Sequence, residues 1–326
     1  MRCRPRRRGA ARLLALVLAG MAGLAPAAAI GAEPEVVRLP SIDWQVGERF
    51  RLETVSTDGR HKKGRVLESF GVQALSEVEV VSRDAEGYVL RMRDLRHMIF
   101  GKPPLPVPVM ERLLAIGKRV PIELEMDRHG RVAGLANREA VVGAMQRIID
   151  EIIGHITETM PTEAAALAER AIRPLAQPAH IEQRALLVPS LFYSFAGSAM
   201  ERHALYQTDS QIDLPFSEVP IAATTTYEVT TVALDRRVVT YGWHQRPDEA
   251  ALAEEAKKYL QRLITKQKQE GQALPSFAAA DFAVDYSAEL DYSLDSGRPI
   301  EMNYVHIVTV AGVERVRRYR VRLTPE

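Results

Sequence analysis

Cysteine is almost absent: Cys3 is the single one in 326 residues, and it falls in a segment that reads as a removable leader. Disulfides, thiolate metal sites and cysteine nucleophiles are therefore excluded from the mature chain, whose stability must come from packing. Aromatic residues are scarce at 6%, and neither sign of charge dominates, the formal net charge being +1. No apolar run after Leu24 reaches the roughly 20 residues that a membrane-spanning helix needs. Chemical fingerprints are missing as well. The eight histidines show no His-Glu-x-x-His spacing, and no phosphate loop or dinucleotide glycine pattern occurs. "FAGSAM" places Met200 where a serine nucleophile elbow needs glycine. No catalytic, cofactor-binding or metal-ligating residue is assigned on these patterns, no cofactor is expected, and a non-enzymatic role is favoured over an enzyme.

What is present begins with "MRCRPRRRGAARLLALVLAGMAGLAPAAAIGA", where six arginines and no acid precede an apolar run from Leu13 to Leu24. This pattern is that of a secretory signal peptide over residues 1–32, with cleavage after Ala29 or Ala32. Met21 stands where a lipoprotein signal has its lipidated cysteine, so the mature protein is expected to be unlipidated and periplasmic or secreted. Six positive charges leave with the leader, taking the formal charge from +1 to −5. An acidic exported chain is a poor nucleic-acid binder, and no nucleic-acid partner is expected.

The remaining chain is dominated by period-two alternation, the mark of strands with one buried face. In "VDYSAELDYSL", Val284, Tyr286, Ala288, Leu290, Tyr292 and Leu294 alternate with polar residues. The turn "DSGRP" leads to a strand with Ile300, Met302 and Tyr304, and "AGVE" leads to a last strand carrying Tyr319, Val321 and Leu323. "ERFRLETVST", "SEVEVVSRD", "GYVLRMR" and "PIELEMDRHGRV" repeat the vocabulary earlier, and "GKPPLPVPV" reads as an extended connector. Because "SEVEVVSRDAEGYVLRMRD" parallels "YEVTTVALDRRVVTYGWHQ", an internal duplication is expected. The fold class read from this is α+β, with curved antiparallel sheets, as two duplicated halves, covered by amphipathic helices. One half spans 33–185 with a helix at 138–157, and the other spans 186–326 with a helix at 247–268. Asp285, Glu289, Asp291 and Asp295 read as a solvated strand face. Arg318, Arg320 and Arg322 read as protection of an edge strand.

The first helix, "REAVVGAMQRIIDEIIGHI", holds the strongest functional signal. Asn137 is placed to cap it, and Val141, Val142, Met145, Ile148, Ile149, Ile152, Ile153 and Ile156 fall on one side. Its opposite face is rich in acids, which disfavours docking on an anionic membrane. Such a stripe is expected to lie on the sheet, either filling its apolar face or leaving a cavity of which the helix forms a wall. The residues expected to line that apolar ligand site are Met145, Ile149, Ile152 and Ile153, with Phe192 and Phe195 from the aromatic cluster in "LLVPSLFYSF".

The leader, the β-rich halves and a short helix "VMERLLAIGK" leading into "VPIELEMDRHGRV" resemble a broad group of uncharacterised bacterial exported proteins. More loosely, long antiparallel strands around an apolar helix are similar to the periplasmic lipid and lipoprotein carriers with half-barrel folds. That resemblance implies a non-enzymatic exported protein that binds an apolar small molecule or lipid, or an envelope protein. An assembly module with a filled core, acting through strand edges or charged faces, and a hydrolase with an unrecognised site are the alternatives.

Overall fold

The alternating segments form strands in the computed structural model, which describes residues 35–212, 214, 217, 219–269, 282–310 and 312–326. The expected leader, 1–32, lies outside the described residues. With elements numbered in chain order, eleven strands make one sheet whose spatial order is β6 (Val132–Leu135), β5 (Ile122–Asp127), β4 (Gly87–Gly101), β3 (Arg65–Arg83), β2 (Arg49–Lys62), β13 (Val313–Pro325), β12 (Pro299–Val310), β11 (Phe282–Ser293), β10 (Val238–Pro247), β9 (Ile221–Ala233) and β8 (Tyr206–Ile212). Every neighbouring pair is antiparallel, and every pair but one is consecutive in the chain. The exception is β2 with β13, in the register Leu52↔Leu323, Ser56↔Tyr319 and Asp58↔Arg317. Two meanders are thereby sewn into a single sheet rather than separate ones. The last strand is interior, so Arg318, Arg320 and Arg322 do not guard an edge; they stand on a solvated face, where Arg320 pairs with Glu301 across the ladder at 2.8 Å.

Alternation gives the sheet two unlike faces. The inner face carries Phe50, Leu52, Val78, Leu90, Leu290, Met302, Val321 and Leu323, all buried. The outer face carries cross-strand ion pairs, among them Arg49–Glu79, Arg91–Glu123 and Arg246–Asp285 at 3.3, 2.8 and 3.1 Å. Asp291 accepts a hydrogen bond from Thr240 at 2.6 Å on the same face. Each exposed pair is worth about 0–1 kcal/mol; together they make this surface one that stays in water.

Among the described residues five α-helices interrupt the strands: α1 (Val107–Lys118), α2 (Arg138–Thr159), α3 (Thr162–Ile172), α4 (Pro178–Phe192) and α5 (Glu249–Gln269). The end of the expected connector, Val107-Pro108-Val109, is the first turn of α1, where proline is tolerated because its missing N–H would have no partner anyway. "LLVPSLF" is helical despite Pro189 within it. Helix α2 begins where expected, but Asn137 makes no side-chain cap. Its amide bridges the start of β5 instead, donating to Pro121 O at 2.7 Å and accepting from Glu123 N at 3.0 Å. This ties the helix start to the sheet.

A segment before β2 closes one end of the inner face. β1 (Val36–Arg38) pairs with β7 (Ala199–Glu201) in a two-stranded sheet, after which Ile42 and Trp44 enter the core at 1% and 0% exposure. Arg298 holds this segment down: its guanidinium lies 4.8 Å from the Trp44 ring and 5.0 Å from the Phe50 ring, and it pairs with Glu48 at 2.8 Å. Gly297, at φ +67°, passes so close to Pro40 that an added Cβ would sit 2.0 Å from the Pro40 carbonyl oxygen. Only glycine fits this crossing.

Candidate ligand-binding face

The apolar stripe of α2 does not lie on the sheet. It packs against α1, α3 and α4 in a helical layer, and Ile149 and Ile153 are buried there. Of its buried residues only Val141 joins the main core built on the sheet. The stripe is satisfied by other helices because α1, α3 and α4 offer apolar faces of their own, Val109, Leu113, Ala165 and Ile181 being buried on them. Met145 and Ile152 are half-buried.

Phe192 and Phe195 belong to the sheet-side core instead. Phe195 stacks on Tyr241 with centroids 4.3 Å apart and meets Tyr227 and Tyr292 edge-on. Tyr292, wholly buried, donates its hydroxyl hydrogen to Phe192 O at 2.5 Å and accepts from Phe195 N at 3.2 Å. The six expected site residues are thus divided between two apolar clusters, the α2 stripe in one and the two phenylalanines in the other.

Toward the opposite end of the strands the inner face changes character. Val72 on β3, Ile99 on β4, Val308 and Val310 on β12 and Tyr319 on β13 remain only half-buried. Apolar strand residues there extend beyond their protein cover. Beside them the strands bring together an aromatic raft: Tyr304 lies 5.9 Å from Tyr319, 6.2 Å from Trp243 and 6.5 Å from Tyr286, and Tyr286 stacks on His306 at 4.3 Å. Tyr304 is 2% exposed, yet among the described residues its hydroxyl has no hydrogen-bond partner, and neither does the buried Nε2 of His306. Unpaired buried polar atoms are costly.

Positive charge surrounds these two atoms. Asp58 on β2 takes both hydrogen bonds from Arg315, at 2.9 and 2.8 Å, and one from Arg317 at 2.7 Å. Burial alone would raise the Asp58 carboxyl, but the two guanidiniums outweigh it and hold it below the ordinary carboxylate value. Arg60 and Glu68 pair with each other at 2.8 Å. From the helical layer, α4 reaches β12 and presents Arg184, whose guanidinium is held below its ordinary value by desolvation and then by repulsion from Arg317. Arg184 nevertheless keeps substantial solvent exposure. Burial, followed by the repulsion of Arg317 and Arg315, lowers His306 to about 4, so its imidazole is neutral near pH 7.

Two guanidiniums, those of Arg315 and Arg317, therefore share the Asp58 carboxylate. The sequence does contain a signal for this cluster: inner-face positions normally filled by aliphatic residues hold Tyr286, Tyr304, His306, Arg315 and Arg317. Reading Tyr304 and Tyr319 only as core overlooked their hydroxyls, and the two arginines fell outside the basic row assigned to the other face.

Two further arrangements carry chemistry of a different kind. Ser76 donates to Asp94 at 2.6 Å, and His97 Nε2 lies 3.1 Å from the other Asp94 oxygen. The carboxylate stands between hydroxyl and imidazole, whereas activating a serine requires the imidazole at the hydroxyl. Between α1 and α2 a groove of about 460 Å³ is lined by Arg112, Arg147, Asp150, Glu151, His155 and Glu158. Arg112 and Glu151 already pair at 2.6 Å, leaving a polar, self-compensated surface.

The fold and this face together define an α+β protein with one large antiparallel sheet, helices against its inner side and ion pairs on its outer side. No protein-family model matches the chain, and no curated protein matches it. Among solved structures it is similar to lipovitellin, described for its lipid–protein interactions, at 9% identity and a TM-score of 0.42, covering 86% of this chain and 25% of that one. It is also similar to an outer membrane channel from Pseudomonas putida F1, at 7% identity and a TM-score of 0.20, covering 87% and 98% of the two chains. A porin-like protein from Bacteroides uniformis matches at 8% identity and a TM-score of 0.18, covering 88% and 99%. The chain spans about a quarter of the lipovitellin chain it matches. These likenesses are too distant to assign a function. Among the described residues no helix is long and apolar enough to cross a membrane.

Proposed function

We propose that this is a non-enzymatic exported protein of the cell envelope that binds an apolar or amphipathic small molecule against the inner face of its sheet. The observation that carries this reading is the continuation of the apolar strand rows beyond their cover, at Val72, Ile99, Val308, Val310 and Tyr319. A filled core would end where its covering helices end. The face offered here has half-buried apolar side chains on both sides of an aromatic and charged centre that includes Tyr304, His306, Arg317 and Asp58, and sites that take small organic ligands combine apolar walls with a few polar groups.

Native mass spectrometry of the mature protein, purified without detergent from its own envelope, tests this together with binding of a neutral fluorescent apolar probe. The expected result is a stoichiometric apolar molecule, or saturable probe binding, that is lost in a folded Val72→Asp variant. A clean protein mass together with no probe binding would overturn the reading.

A second reading, as an assembly module, draws on the corner of β3 and β4. Val66, Leu67 and Met98 are 61%, 54% and 54% exposed there, and the Phe100 ring lies over Gly71 on the outer face. Val66→Ser/Met98→Ser that abolishes co-purification of a specific envelope protein, with probe binding unchanged, would favour this alternative.

A further inference from the structure

The sheet departs from its ion-paired pattern where the β2–β3 hairpin runs past the end of β4. Phe70 of β3 still faces Gly101 of β4, whereas Arg65, Val66, Glu68 and Ser69 have ladder partners on β2 alone. Every residue from Lys62 to Ser69 is exposed, so this end of the hairpin stands out from the sheet. The chain leaving β4 lies beside it, Lys102 N donating to Ser69 O at 3.0 Å.

We propose that this projecting end docks on a bilayer surface bearing anionic headgroups, with Val66 and Leu67 entering the interfacial layer and Lys62, Lys63, Arg65 and Lys102 meeting the headgroup phosphates. The proposal does not rest on a ligand at the inner face, and it gives the exposed corner an occupant other than an envelope protein.

Charge and exposure together select this occupant. Lys62, Lys63, Arg65 and Lys102 form no ion pair among the described residues. Two acids of the same region are already engaged: Glu68 pairs with Arg60 at 2.8 Å, and Asp58 with Arg315 and Arg317 at 2.8 and 2.7 Å. Glu314, opposite His61 in the ladder, is left against four cations. Val66 and Leu67, 61% and 54% exposed, stand among these cations, and half-buried Val313 faces Lys62 from the neighbouring hairpin. Lasting attachment to a bilayer takes an apolar and an electrostatic contribution together, and both are present here. A soluble polyanion would use the cations but leave Val66 and Leu67 in water. A projecting hairpin suits a fluid surface that moulds itself around it, whereas a folded partner would need a recess of matching shape.

The test floats the mature protein with vesicles of phosphatidylglycerol and phosphatidylcholine in equal parts, and with vesicles of phosphatidylcholine alone. Binding to the anionic vesicles is expected, weakened by salt and much weaker on the neutral ones. Lys62→Gln/Lys63→Gln is expected to reduce it about 25-fold, about fivefold for each cation near an anionic surface. Insertion is read from Leu67→Trp, whose added emission should shift to the blue on anionic vesicles. Leu234→Trp, at a position 66% exposed on the turn between β9 and β10, should not shift. Absence of vesicle binding would overturn the proposal, and so would binding unaltered by the double lysine substitution. Binding with no shift at Leu67→Trp, or with equal shifts at both positions, would overturn it as well, leaving only unspecific attraction. Loss of an envelope protein in Val66→Ser/Met98→Ser, without any vesicle binding by wild type, would assign the corner to a protein partner instead. All of these substitutions fall at exposed positions, and unchanged thermal melts confirm that the variants fold.

Discussion

Deleting one oxygen atom from either of two buried tyrosines should have opposite effects on stability. Tyr292→Phe keeps the ring among Phe195 and Tyr241 but removes the hydroxyl that serves Phe192 O at 2.5 Å and Phe195 N at 3.2 Å. A carbonyl and an N–H are then left unsatisfied inside the core, each costing about 1–3 kcal/mol, for a loss of about 2–6 kcal/mol. At about 2 °C per kcal/mol for a chain of this size, Tm falls by about 4–12 °C. Tyr304→Phe removes a hydroxyl of comparable burial that has no partner among the described residues, so its stability should be unchanged or higher by about 1 kcal/mol. Urea denaturation and thermal melts of both variants beside wild type make the comparison. Equal destabilisation by the two substitutions would refute the reasoning, since Tyr304 would then have to possess a stabilising partner.

Gly297→Ala should cost at least about 2 kcal/mol, because φ is +67° and the new Cβ meets the Pro40 carbonyl; an unchanged urea midpoint would show that the segment crossing this turn shifts freely. Gly154→Ala should instead stabilise by about 0.5–1 kcal/mol, since its Cβ would meet nothing within 4 Å on the open side of α2; a lower midpoint would mean that the helix needs glycine there. His306, held to about 4 when folded and near 6.5 when unfolded, takes up its proton first in the unfolded chain. Its contribution therefore destabilises the fold progressively as pH falls from about 6.5 to 4, by up to about 3 kcal/mol. Arg317 and Arg315 reinforce the effect, Asp58 opposes it, and the stacked Tyr286 ring faces the imidazole. Asp58, whose pKa is lowered by its arginines, loses its own contribution only below the ordinary carboxylate range. Stability measured at pH 7, 5.5 and 4 should consequently flatten in His306→Gln, and an unaltered slope in that variant would reject the assignment.

Much of the architecture was legible locally. Alternation from Val284 to Tyr292 and the turn at 294–298 appear as β11, its hairpin and β12. The acids read as a solvated face do stand opposite the core, where Asp285 meets Arg246 and Asp291 meets Thr240. Helix α2 starts at Arg138 as expected although Asn137 does not cap it, while α5 starts at Glu249 rather than at the expected 247, because Pro247 ends β10. Helices α3 and α4 were not recognised, because "TEAAALAERAI" has little beyond alanine to make a stripe and α4 contains Pro189. The pairing of β2 with β13 was equally hidden: strand propensity says which residues extend, not which distant strand will accept their hydrogen bonds.

The sequence by itself determined that the chain is α+β, that its long strands have one apolar and one charged side, and that α2 has a broad apolar stripe to bury. These are properties of neighbours two to four positions apart. The tertiary structure alone decided what the stripe lies against, which is other helices, and it separated Ile149 and Ile153 from Phe192 and Phe195. It also gathered Asp58, Tyr304, His306, Arg315 and Arg317 from β2, β12 and β13. Their proximity depends on one long-range strand pairing, and no local pattern encodes it.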